Sequence, residues 1–233
     1  MAGLTRFVAV FNCSLPDVVG PVRGPRPTDP DLLAELGRPL FAFADDEFTT
    51  PLAMSGVVDV SDRVIPSAYT PTDIGAPHNL LAEPARLLAM GRSTPATRIF
   101  RYSRHPRPGY PAGTIVNVPF KDFEDLVWRW NPGRHAYLRY YGNEQHTSDG
   151  RQLSADNVIV QYVRTSYVSL VGQTLIKAET VGQGRVTVYR NGRMIEGAWS
   201  RSSRSQPPVF RDERGRPIPL EHGTTWVELV PAV

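Results

Sequence analysis

The sequence has one cysteine, Cys13, in 233 residues. A single cysteine excludes an intrachain disulfide and a cysteine-based metal site. Cys13 follows an apolar run, so a buried, inert thiol is its expected state. No apolar stretch approaches the roughly 20 residues of a membrane-spanning helix. No basic-then-apolar leader stands at Met1. Lysine occurs only at Lys121 and Lys177, so the net charge of +3 rests on scattered arginines. No block of like charge and no stacking motif accompanies them, which argues against nucleic-acid binding. A nucleophile elbow, a zinc motif and a phosphate loop are also missing. Asp45-Asp46-Glu47 gathers three acids, but no histidine stands at ligand spacing. Neither a metal nor another cofactor is therefore expected.

What is present is ordinary globular composition, 41% hydrophobic and 21% charged, in a chain long enough for two modest domains. Leu4 to Phe11 reads as a strand, broken by Pro16 and Gly20-Pro21. A loop follows with Arg23 and Arg26 between prolines that keep it extended. Asp29-Pro30 predicts a helix start, Leu32, Leu33 and Leu36 an apolar face, and Gly37 a stop. Leu40 to Ala44 and Val57 to Val60 read as strands, and Thr50-Pro51-Leu52 as a helix start. Pro84 opens a second short helix, with Leu87, Leu88 and Met90 expected inward and Gly91 as its stop.

From about residue 113 the pattern changes to short β-prone runs between turn signals. Asn131-Pro132-Gly133 and Asn191-Gly192 mark hairpins, and Asn157 opens the clearest strand, Val158 to Val163. Gln173 to Thr180 is expected to continue the main sheet, and Trp199 and Trp226 to anchor the core. The expected fold is α+β: a small α/β N-terminal domain over 1–112, then a β-rich, mainly antiparallel domain over 113–233.

Several of these stretches occur together in one known family. Thr5 to Arg26 (Thr-Arg-Phe-Val-Ala-Val-Phe, then Val-Gly-Pro-Val-Arg-Gly-Pro-Arg) resembles the bacterial YerB-like proteins, defined by a domain of unknown function. Pro77-His78-Asn79-Leu80, Tyr137-Leu138-Arg139, His146, Asp149 and Asn157-Val158-Ile159-Val160 are similar to elements of the same family. So are Gly182-Gln183-Gly184, Gly197-Ala198-Trp199-Ser200-Arg201 and Gly223-Thr224-Thr225-Trp226-Val227. The set runs in the family's order along nearly the whole chain. The resemblance implies two domains and an extracytoplasmic, cell-envelope setting, with relatives commonly exported or lipid-anchored. It implies no activity. Relatives carry a leader and further sequence before the Thr-Arg-Phe strand, so the N-terminal domain is expected to be truncated at its start.

Two arginines just before a helix N-terminus resemble an anion site, although Asp29 and Asp31 compete for them. The candidate ligand-binding residues are Arg23, Arg26, His78, Asn79 and Asn157. A guanidinium pair clamps an anion, and His and Asn supply neutral hydrogen bonds. The expected ligand is an anionic small molecule or a cell-wall glycan. Holding is favoured over transforming. The alternatives are a hydrolase or transferase, with His78 or His146 and Asp149 as catalytic candidates, and a protein-interaction module offering the Tyr189 to Ile195 hairpin to a partner.

Overall fold

The computed structural model describes residues 7–9, 11–14, 19–37, 39–49, 56–73, 79–90, 99–103, 109–120, 125–148 and 150–232. The chain divides into two units. The first comprises 1–98 with 166–177 and 204–206, and the second 99–165, 178–203 and 207–233. Strands make up 48% of the structure and helices 8%. The α+β expectation therefore holds only in part, because β structure dominates and helices are too few to form α/β layers.

In the first unit, Leu40–Ala42 is the centre of a parallel sheet between Phe7–Ala9 and Val58–Asp59. Leu40 and Ala42 pack into one cluster with Val60, Ala68, Ala82 and Leu87. Phe41 turns to another, with Leu33 and Phe43. Burial on both faces is why this strand is apolar without alternation. A second, antiparallel sheet runs Phe11–Ser14, Val19–Val22, Leu80–Ala82, Tyr69–Pro71. Buried Tyr69 donates its hydroxyl to the Val60 carbonyl, and burial pushes its ionisation up.

The helix Asp29–Ala34 has Thr28, not Asp29, at its N-cap, and Gly37 at φ 82° follows it. Pro84–Leu88 is a single turn, so only one position per turn reaches the core. Leu87 is buried, whereas Leu88 and Met90 are 42% and 58% exposed, which corrects the expected inward face. Thr50-Pro51-Leu52 and Gly91 lie outside the described residues. The strands Thr165–Leu170 and Gln173–Ala178 pair only with each other among the described residues instead of extending the main sheet. Their two-residue turn, Val171-Gly172, has both φ positive, as type I′ hairpins require.

The second unit is built on a five-stranded sheet in the order Val209–Asp212, Arg193–Arg201, Gly182–Arg190, Asn157–Val163, Thr225–Pro231. The last pair is parallel, the others antiparallel. Val158 and Val160 face one cluster with Trp128, Tyr137 and Val230. Ile159 and Val163 face another with Val186, Val188, Trp199 and Leu220. A strand buried on both sides has no polar face, which accounts for Asn-Val-Ile-Val-Gln-Tyr-Val.

Trp199 donates its indole N–H to the Tyr162 carbonyl at 2.8 Å. Its ring covers Gly184, where a Cβ would fall 2.6 Å from the indole nitrogen. Glycine there is a requirement of close approach. A second sheet lies on the Val158/Val160 side, ordered Glu144–Gln145, Ala136–Tyr141, Leu126–Asn131, Ile115–Asn117. Ser154–Ala155 also pairs with Ala136–Tyr141.

Candidate functional site

The Arg23/Arg26 loop wraps Asp46. A Cβ at Gly24 would lie 1.7 Å from the Asp46 carboxylate. Arg26 pairs with Asp46 at 2.9 Å and sits over the Phe48 ring. Asp29 accepts the Arg26 backbone N–H at 2.8 Å and the Arg23 guanidinium at 3.1 Å. Here the displaced helix cap has its reason: the Asp29 carboxylate serves the loop instead of the helix. Asp31 pairs with Lys177 and Arg204. Both loop arginines are thus matched to carboxylates, and an arriving anion must compete with Asp29 and Asp46. Asn79 is half-buried in the same unit, its carbonyl accepting the Thr72 N–H at 2.6 Å. His78 lies outside the described residues.

Asn157 belongs to the second unit, where it is fully buried. Its side chain accepts the Glu221 N–H at 2.7 Å and donates to the Glu221 carbonyl and to Thr225 at 2.9 and 3.2 Å. The Asn191-Gly192 turn, offered by sequence as a partner edge, is covered within its own unit. Gly113 donates to the Gly192 carbonyl, Met194 to the Pro111 carbonyl, and Asn191 to Glu221.

A different cluster emerges beside Ala136–Tyr141. The segment after this strand returns along its edge, pairing Tyr141 with Glu144 and Tyr140 with Gln145, then Leu138 with Ser154 and Tyr137 with Ala155. Between these pairs a small hairpin, Thr147–Ser148 with Arg151–Gln152, stands off the edge. Its base is fastened to Arg139. His146 N–H donates to the Arg139 carbonyl, Arg139 N–H to the Leu153 carbonyl, and Gln152 Nε2 to the Arg139 carbonyl at 3.1 Å.

This hairpin walls a groove of about 700 Å³ whose lining includes Arg134, Gln145, Arg151, Gln152 and Ser154. Arg134 reaches it from the preceding turn, which Asn131 fixes by accepting the Arg134 N–H at 2.9 Å. Neither Arg134 nor Arg151 has a carboxylate partner among the described residues. Two guanidinium groups without a carboxylate partner among the described residues favour carboxylate or phosphate oxygens, and two carboxamides both donate to and accept from hydroxyls.

Beneath the groove the Arg139 side chain is nearly enclosed. It lies over Trp226 at 4.7 Å and near Trp128 and Tyr141. Its guanidinium faces Glu228 at 3.5 Å, and Glu228 also accepts the Trp128 indole N–H at 3.0 Å. Arg139 Nε has no partner among the described residues. Arg139 also donates to His146 Nδ1. An arginine only donates, so His146 is neutral here and carries its proton on Nε2. Burial, then the Arg139 charge, pushes His146 below its ordinary value of 6.5. Asp149, its expected partner, lies outside the described residues.

The groove arginines escaped the sequence reading because neither belongs to a motif: Arg134 sits in a turn and Arg151 begins a two-residue strand just after one. Their signal was positional: Arg134 follows Asn-Pro-Gly and Arg151 follows Gly150, and turn side chains face solvent. No group of three His, Cys, Asp or Glu among the described residues could hold a metal ion.

In fold, the chain is similar to the crystal structure of YerB protein from Bacillus subtilis, with a TM-score of 0.72 at 16% identity. The match covers 94% of this chain and 76% of that one. No curated protein matches. Residues 1–97 match the N-terminal domain, and residues 116–227 the C-terminal domain, of the protein family of unknown function DUF3048. The chain belongs to this YerB-like family.

Proposed function

We propose that this protein binds an acidic, hydroxyl-rich ligand, an acidic glycan, in the groove of its second unit. The supporting observation is the pair Arg134 and Arg151, which line about 700 Å³ without carboxylate partners among the described residues. Arg23 and Arg26, by contrast, are each matched to an aspartate. The groove volume falls in the ~300–1,000 Å³ range of small-molecule sites. A single phosphate would leave most of it unfilled, whereas sugar hydroxyls match Gln145, Gln152 and Ser154. Binding is preferred over hydrolysis because His146, the candidate base, has Nδ1 engaged by Arg139. The cell-envelope setting is part of the same proposal; cell fractionation that leaves the protein in the cytosol would remove it.

Calorimetric titration with tri-galacturonate, against neutral chitotriose and inorganic phosphate, tests the reading. Saturable binding of the acidic trimer alone is expected. Arg134→Gln with Arg151→Gln should weaken it by about 100-fold, since each charged hydrogen bond contributes roughly 1.5–3 kcal/mol. Added salt should weaken it too, because both guanidiniums are exposed. Equal affinity in the double variant would refute the assignment.

A further inference from the structure

We infer that Arg139 is a positioning residue for the groove, holding its hairpin wall through neutral His146, so that the wall releases when His146 takes a proton. The inference rests on the groove being the binding site. Its geometry, however, stands apart from any ligand.

Three backbone-level bonds tie the wall to Arg139, through His146 N–H, the Leu153 carbonyl and the Gln152 side chain. Between the two side chains themselves, Arg139 is tied to the wall by its hydrogen bond to His146 Nδ1. That bond requires a lone pair on Nδ1. A protonated imidazole offers two N–H groups and no acceptor, so it would turn a donor toward a guanidinium.

The groups around the imidazole decide whether this repulsion is relieved. On Ala136–Tyr141 they are the Arg139 cation and the Tyr141 ring, whose centroid is 4.7 Å from that of His146. On Thr225–Pro231, Glu228 is the nearby anion, but it is held to Arg139 and to the Trp128 indole. Trp226 stacks over Arg139 and offers no acceptor. Arg139 is only 8% exposed and confined by three aromatic rings, so His146, which is half-buried, is the group that must swing away.

His146 in the closed wall is held below 6.5, whereas a released wall exposes it at that ordinary value. The open state binds the proton more readily, so closure is fully favoured above 6.5 and is progressively lost as pH falls from there toward the depressed value. With Gln152 and Arg151 on the wall, loss of closure moves one groove guanidinium and one carboxamide away from the ligand.

Hydrogen exchange read by mass spectrometry over residues 142–155, at about pH 7.5 and about pH 5.5, tests this without ligand. After correction for intrinsic rates, the His146 and Leu153 amides should exchange faster at the lower pH, by up to about tenfold. His146→Gln keeps a neutral acceptor for Arg139 and should show no pH step. The His146 ring-proton chemical shift in the unmodified protein should titrate below 6.5, at the midpoint of the exchange step. Tri-galacturonate stays ionised over this range, and its affinity should fall in step with the exchange. Equal protection at both pH values, or the same step in His146→Gln, would overturn the latch. An exchange step with no trimer binding at any pH keeps the latch and refutes the groove reading. Binding that ignores pH, with constant protection, does the reverse.

Discussion

Arg139→Leu is expected to destabilise the second unit by about 3–5 kcal/mol, the range for breaking a buried ion pair by removing one partner. Both side chains are more than nine-tenths buried, so solvent does not rescue the remaining charge. Among the described residues, Glu228 would keep only the Trp128 indole N–H as a side-chain donor. Arg139→Met with Glu228→Leu should recover most of the loss, since an apolar pair of similar volume needs no desolvation. All four tryptophans, Trp128, Trp130, Trp199 and Trp226, lie in this unit. Urea unfolding followed by tryptophan fluorescence consequently reports on it alone. A loss below about 1 kcal/mol in Arg139→Leu would show that water or another group already satisfies Glu228.

The strands were legible where burial writes a simple pattern. Leu40 to Ala44 and Val158 to Val163 read as apolar runs because both faces of each are covered. Asn191-Gly192 announced its turn because φ of 49° and 66° suits few other pairs. Val171-Gly172 was missed because a β-branched residue at φ 48° opposes the local rule. Parallel pairing of Thr225–Pro231 with Asn157–Val163 is non-local and leaves no signature in either segment. The site was harder still. Arg139 looks like an ordinary strand arginine, and only the register that sets Trp128 opposite it, with Glu228 at hand, shows a buried pair. Arg23 and Arg26 looked available because the approach of Asp46 to Gly24 spans more than twenty positions of sequence.

Asn157→Ala is expected to destabilise the same unit by about 2–4 kcal/mol while leaving tri-galacturonate affinity unchanged in the folded fraction. The side chain bonds both backbone groups of Glu221, which a methyl group cannot do. Each buried polar group left unsatisfied costs about 1–3 kcal/mol. Glu221 is the far end of this brace. Burial alone would raise its carboxyl, but the Asn191 amide and the Arg190 guanidinium outweigh it and hold it below the ordinary value of 4.5. That contribution is present above 4.5 and is lost as pH falls toward the depressed value. Asn157→Ala, by loosening Glu221 from its carbonyl and N–H, should therefore narrow the difference in stability between about pH 7 and about pH 3. Asn157→Asp keeps the acceptor for the Glu221 N–H but loses both donated bonds, so its loss should fall near the alanine value. Thermal unfolding across that range, paired with calorimetric titration, separates bracing from binding. Unchanged stability with abolished trimer binding would place Asn157 at a ligand instead of in the frame.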